Sequence, residues 1–179
     1  MLINPFTKAM RKFREDRSGV SAVEFALILP VFALLFFASI EVSFLMLVDR
    51  KVTQTASTLG DLVARATAVS NNDLDDIFHA SNALFQPYDG SKARMRVTSV
   101  QQNGTKTEVL WSEAQNMTAY SKGASVTIPS GLLENGQSVV ISEVSYDYDS
   151  TLGYFLPSTK VLDETFYLRP RRTETVERR

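Results

Sequence analysis

Residues 17–35 read Arg-Ser-Gly-Val-Ser-Ala-Val-Glu-Phe-Ala-Leu-Ile-Leu-Pro-Val-Phe-Ala-Leu-Leu, and the apolar run they open continues to Val48. Between Phe25 and Ile40 there is no charged side chain. As a helix rising about 1.5 Å per residue, Phe25–Val48 is about 36 Å long, enough to cross a hydrocarbon core of about 30 Å with some tilt. A core helix of a small soluble protein needs a polar face, which this run lacks. A cleaved secretory signal has a shorter apolar stretch closing on a small-x-small site. Here Phe37-Ala38-Ser39 and Glu41-Val42-Ser43 put an aromatic ring and a charge at the first small position. The stretch therefore predicts a transmembrane helix over residues 20–48. Pro30 lies inside it, where a lost backbone hydrogen bond gives a kink that membrane helices tolerate.

Two carboxylates accompany this helix. Glu24 stands five residues beyond Gly19, at the mouth of the span, where an acid seeks a cation or reaches for the interface. Glu41 admits three readings: a place near the far interface, a protonated state, or a polar group on another helix opposite it. Outside the span, residues 1–19 carry Lys8, Arg11, Lys12, Arg14 and Arg17 against Glu15 and Asp16. That basic excess favours a cytoplasmic N-terminal side, partly offset by Arg50 and Lys51 beyond the span.

The stretch Gly19-Val20-Ser21-Ala22-Val23-Glu24-Phe25 resembles the Gly-x-x-x-x-Glu-Phe/Tyr processing site of type IV pilin-like proteins. Across residues 17–35 it resembles most closely the TadE/TadF-like pseudopilins of the tight-adherence (Flp) pilus machinery. Weaker echoes are Asp61-Leu62-Val63-Ala64-Arg65, Glu143-Val144-Ser145-Tyr146-Asp147-Tyr148 and Arg169-Pro170-Arg171. The resemblance implies a basic leader, residues 1–19, removed by a prepilin peptidase between Gly19 and Val20. It makes Glu24, with Phe25 after it, the acid required for processing or assembly. The new Val20 amine would then stand one helical turn from Glu24. The implied role is structural: a minor pilin or pseudopilin that is a peptidase substrate and not an enzyme. Its partners are other pilins and inner-membrane pilus assembly proteins. It would cross the bacterial inner membrane once, with its C-terminal domain periplasmic or carried into the pilus. The rival reading is an uncleaved, membrane-anchored binding or adhesion module.

The rest of the chain reads as one modest domain, residues 49–171, followed by a mobile charged tail, residues 172–179. Val52, Ala56, Leu59, Val63 and Ala66 recur at three- and four-residue spacing, extending the first helix to about Val69 as an amphipathic segment. Asn71-Asn72-Asp73 is placed to cap a second helix over about 73–85. That helix carries Leu74, Ile77, Phe78, Ser81, Leu84 and Phe85 along one side, with His79 beside that stripe as a partly buried structural histidine.

From Lys92 the residue types favour strands. Asn103-Gly104 marks a two-residue hairpin loop, setting Val97 opposite Leu110 and Arg96 opposite Trp111. Met95, Val97 and Leu110 then share one face, and Val100, Val109 and Trp111 the other. Residues 114–136 are mostly connecting chain, with Val126-Thr127-Ile128 as a short strand. Ser138–Tyr148 and Val161–Arg169 complete the set. The fold class is α+β: a long N-terminal helix, its first half in the membrane, and a second helix packed on a small antiparallel sheet.

The chemistry readable from composition is sparse. The chain has no cysteine, one histidine and a formal net charge of −1. That removes disulfides, thiolate sites and histidine clusters, and gives no reason to expect nucleic acid as a partner. Glu143, Asp147 and Asp149 lack the loop spacing of a hard-cation site and read as a solvated acidic edge. No phosphate loop, zinc helix or nucleophile elbow occurs, so neither cofactor nor metal is expected.

Overall fold

A computed structural model describes Met10, Lys12 and residues 19–150 and 159–179. The rest of the basic leader and the aromatic loop Gly153–Pro157 lie outside the described residues. The chain divides into two units between Val42 and Ser43. Its elements are α1 (Val20–Arg65), β1 (Ala68–Val69), α2 (Asn71–Ala83), β2 (Arg94–Asn103), β3 (Lys106–Gln115), β4 (Ser138–Asp149), β5 (Thr159–Leu168) and β6 (Glu177–Arg178). A single 3-10 turn, Gly90–Lys92, precedes β2. This is the expected α+β class.

In the first unit, α1 is a helix with bare apolar walls. Phe25, Leu27, Phe32 and Phe36 are 63%, 72%, 65% and 62% exposed. Pro30 sits within the helix without ending it, and the Ser39 hydroxyl donates to the Leu35 carbonyl at 2.8 Å. Such back-bonding satisfies a hydroxyl inside an apolar stretch.

In the second unit, the later turns of α1 lay one stripe into the core. Val48, Val52, Ala56, Leu59 and Val63 are all fully buried. Gly60 on the same helix permits close approach to the sheet: a Cβ there would collide with Leu168 Cδ1 and stand 3.0 Å from Ser142 Cβ. Beside it, the buried Ser142 hydroxyl donates to the Ala56 carbonyl at 2.7 Å. The helix ends at Arg65, four residues earlier than the periodicity predicts. There the Ala66 N–H turns back to the Val63 carbonyl, and the Arg171 N–H takes the Ala64 carbonyl. The orphan carbonyls of the last turn are thus satisfied from elsewhere in the chain.

α2 begins two residues earlier than predicted because Ser70, not the Asn-Asn-Asp run, is its cap. The Ser70 side chain accepts from the Asp73 N–H while the Asp73 carboxylate accepts from the Ser70 N–H, a reciprocal capping box. Leu74, Phe78 and Ser81 are its buried face. His79 lies off that stripe and is exposed, contrary to expectation. Phe85, fully buried, stacks on Tyr146 at 5.0 Å between ring centroids.

The main sheet is antiparallel in the order β3-β2-β4-β5. β2 and β4 occupy its middle, and their side chains feed two cores. Met95, Val97, Val140, Val144, Tyr146 and Leu162 pack on the helix side. Val100, Val109, Val139 and Ile141 pack on the other, beneath side chains of the 120–133 connection.

The hairpin register differs from the sequence prediction. Gly104 and Thr105 form the loop, so Asn103 pairs with Lys106, and a bulge follows where Ser99 faces Trp111 but Val100 faces Val109. The extra residue, Leu110, reverses the alternation. Trp111 therefore joins Met95 and Val97 in the first core instead of Val109 in the second. Val126-Thr127-Ile128 is not a strand. That connection instead lies along β3, with backbone bonds from Val109 to Ala124, Gly123 to Val109, and Val126 to Thr107.

Residues 172–179, expected to be a mobile tail, are docked. β6 pairs in parallel with β1, and Val176 is 1% exposed. The Trp111 indole N–H donates to the Val176 carbonyl at 2.7 Å. Arg178 reaches Asn71 and, at 3.0 Å, Glu113. The apolar residue between charges is what the charge count of this stretch conceals.

Candidate assembly segment

The segment that carries the sequence signature starts at the helix boundary. Gly19 is a turn residue whose carbonyl accepts the first helical bond, from the Val23 N–H at 3.1 Å. Val20 is the first helical residue, 51% exposed. Glu24 follows at i+4, on the same side of the helix one turn on, and is exposed, as is Phe25. The structure thus brings Val20 and Glu24 together along one helix side. The leader cations Lys8, Arg11, Arg14 and Arg17 lie outside the described residues.

From Val20 to Phe37 nearly every large side chain is apolar and uncovered. Single exposed leucines are ordinary in folded proteins, but a helix apolar on all sides is built to be surrounded by lipid or other helices. α1 is long and apolar enough to cross a membrane, with a mean hydropathy of 2.4 over its most apolar window. Glu41, which the sequence left open among three settings, is 1% exposed.

The acidic side chains of β4 form ion pairs within the sheet domain. Of the acids read as a solvated edge, Asp149 is solvated, its side chain 59% exposed, while Glu143 and Asp147 are partly buried, and each of the three faces a cation from β2 or the turn before it. Arg96 donates from Nε and Nη2 to both oxygens of Glu143 at 2.6 and 2.7 Å. Its guanidinium also donates to the Tyr120 hydroxyl and lies 3.7 Å from that ring's centroid. Trp111, which the predicted register set opposite Arg96, lies on the other face because of the bulge, and Arg96 pairs with Ala114 instead. The hydrogen bond to Glu143 raises the Arg96 pKa. Arg94 donates to both oxygens of Asp147 at 2.6 and 2.8 Å, which holds that carboxyl below its ordinary range. Lys92 meets Asp149 at 3.3 Å. A period-two alternation of cations from Lys92 to Arg96 was the signal for this ladder, since opposite charges across a strand pair stabilise each other.

Among the described residues, no three His, Cys, Asp or Glu side chains are grouped to hold a metal ion. One further feature escaped the sequence. A cleft of about 430 Å3 opens between α2 and the end of β3, lined by Asp75, Phe78, His79, Glu113 and Arg178 among others.

These features define a class: an α+β protein whose N-terminal apolar helix fits a single-pass membrane anchor. Within that class, residues 19–59 match the family model described as TadE-like protein. The chain carries a TadE-like segment, and this ties it to the tight-adherence pilus system. The matched stretch begins at Gly19 and runs through the whole apolar part of α1. Comparison with curated proteins and with solved structures gave no significant match.

Proposed function

We propose that this chain is a minor pilin or pseudopilin of a tight-adherence pilus, matured by a prepilin peptidase between Gly19 and Val20. The observation that carries the reading is the coincidence of two boundaries: the TadE-like match and the bare apolar helix both start at Gly19-Val20. Cleavage there frees an amine at the first helical residue, one turn from Glu24. In the bilayer the carboxylate stays at the interface. As subunits pack through their apolar helix walls, Glu24 is drawn into a low-dielectric bundle and needs a positive partner. A Val20 amine, on the same or a neighbouring subunit, supplies it. The work of the chain is thus helix packing at the bacterial inner membrane, with its sheet domain on the periplasmic side and other pilins as partners.

The test is the mass of the mature N-terminus, expected to begin at Val20. Glu24→Ala should leave membrane insertion intact and impair assembly. A mature chain still beginning at Met1 overturns the pilin reading in favour of a tethered binding module.

A further inference from the structure

Asn-Gly occurs twice in the chain, at Asn103-Gly104 and Asn135-Gly136, and the fold brings the two pairs together at one end of the sheet. Asn103-Gly104 lies at the tip of the hairpin between β2 and β3, where Gly104 has φ +62°. Asn135-Gly136 forms the centre of the turn before β4, closed by the Gln137 N–H on the Glu134 carbonyl at 3.0 Å, with Gly136 at φ +84°. Positive φ suits glycine in both turns. All four residues are exposed.

An asparagine followed by glycine can close on itself. The glycine amide nitrogen, once hydroxide has taken its proton, attacks Cγ of the asparagine side chain, and the glycine has no side chain to hinder the approach. The new N–Cγ bond closes a succinimide ring. The Cγ–Nδ2 bond breaks, and that nitrogen takes up a proton and leaves as ammonia. Water then opens the ring at either carbonyl, giving aspartate or, with the main chain rerouted through Cβ and Cγ, isoaspartate. The sum is an amide and water going to a carboxylic acid and ammonia. The reaction is held back by whatever occupies the glycine N–H.

Each turn here holds the nucleophile of the other. The Gly104 N–H donates to the Asn135 side-chain oxygen at 2.7 Å, and the Gly136 N–H donates to the Gln102 carbonyl at 2.8 Å. The two locks differ in kind. Gly136 is held backbone to backbone, next to a second such bond from the Gln102 N–H to the Gln137 carbonyl at 2.9 Å. The Gln101 side chain donates to the Gly136 carbonyl as well, at 2.9 Å. Releasing the Gly136 nitrogen means parting the turn from β2. Gly104 is held by the tip of one exposed side chain, which rotates away with no backbone movement. The Asn103 amide is tethered through Nδ2 to Glu108 at 3.4 Å, longer than an ordinary N–H···O bond. Its Cγ is thus free to turn toward the Gly104 nitrogen.

We propose that Asn103 is a site of spontaneous deamidation guarded by Asn135, and that Asn135, with the same motif, is itself protected. The change is local and runs one way. An acid at position 103 adds a negative charge beside Glu108. The isoaspartate form also lengthens the main chain by one carbon at the last residue of β2, which breaks the pairing of Asn103 with Lys106 and opens the hairpin tip. The bonds at Gln102 lie one residue further in, so the sheet beyond them stays paired.

The test follows both positions in one sample. Full-length chain, folded in detergent, is kept in mildly alkaline heavy-oxygen water, and the peptides holding positions 103 and 135 are read by mass spectrometry. Position 103 should convert from amide to acid with uptake of heavy oxygen, more of it isoaspartate than aspartate, and position 135 should convert several-fold more slowly. In urea, where neither lock survives, the two should convert at comparable rates. Asn135→Ala removes the guard and should speed conversion at 103 several-fold in the folded chain. Asn135→Asp keeps an acceptor oxygen in the same place and should match the parent.

The proposal is overturned if position 103 stays an amide, if position 135 converts as fast as 103 in the folded chain, or if their difference persists in urea. Aspartate without isoaspartate at 103 overturns it too, since that product bypasses the ring. So does an equal rate at 103 in the Asn135→Ala and Asn135→Asp variants, which would leave Asn135 no part in guarding Gly104.

Discussion

Replacing Val176 by Asp should release the C-terminal strand while the sheet domain stays folded, and the only tryptophan of the chain reports it. Val176 is 1% exposed and Trp111 7% exposed. The strand is held by one buried valine, worth about 1.5–3 kcal/mol, by the indole hydrogen bond at 2.7 Å, worth about 1 kcal/mol net, and by the Arg178 side chain, which bonds to Val69, Asn71 and Glu113. Backbone bonds from Glu177 to Thr67 and from Arg179 to Val69 add a similar amount each. A carboxylate in the Val176 site would cost several kcal/mol to keep buried and unpaired. The penalty falls on the one apolar anchor of a short segment whose other contacts are hydrogen bonds and an ion pair that water can replace, so the segment swings out rather than unfolding the core. Val176→Ala removes about two methyl groups, roughly 1.5 kcal/mol, and should leave the strand in place. Steady-state emission and acrylamide quenching of Trp111 are the assay. The aspartate variant should show red-shifted, readily quenched emission with unchanged far-ultraviolet circular dichroism, and the alanine variant should match the parent. Parental emission from the aspartate variant, with a urea midpoint no lower than that of the alanine variant, would refute the reasoning.

Two further outcomes follow from the charge ladder. Arg96→Met leaves Glu143 half-buried beside an unanswered Tyr120 and should lower stability by about 2 kcal/mol in urea titration. Arg96→Met with Glu143→Leu should recover most of that loss, because no charge is then stranded. Asp147, whose carboxyl is held below its usual range by Arg94, binds its proton less readily folded than unfolded. Its stabilising contribution is present above the unfolded carboxylate range and is lost as pH falls through the folded value, below about pH 4. Thermal midpoints of the parent should therefore fall more steeply than those of Asp147→Asn between about pH 4 and 2. The difference will be small, since the Asp147 side chain is 39% exposed.

Periodicity was enough to recognise both helices, because a helix that meets lipid or core along its length repeats that demand every turn. The α1 stripe from Val52 to Val63, the alternation of Val140, Val144, Tyr146 and Tyr148, and the final strand all stood where the pattern put them. The signature from Gly19 to Phe25 was also wholly legible, since its meaning depends on spacing within one helical turn. What failed were readings that required knowing a neighbour. Ser70 caps α2 because Asp73 answers it, whereas the Asn-Asn-Asp run looked equally able.

The amino-acid order by itself determined that one helix is too apolar to be left in water, that an acid stands one turn inside its start, and that a small α+β domain follows. Each of these depends on residues within a few positions of one another. Only the tertiary structure decided the bulge that turns Trp111 inward, the docking of Val176 beneath it, and the partners of the acidic residues of β4. In each case a residue's fate rests on a group tens of positions away, and alternation along a single strand carries no record of an inserted residue opposite it.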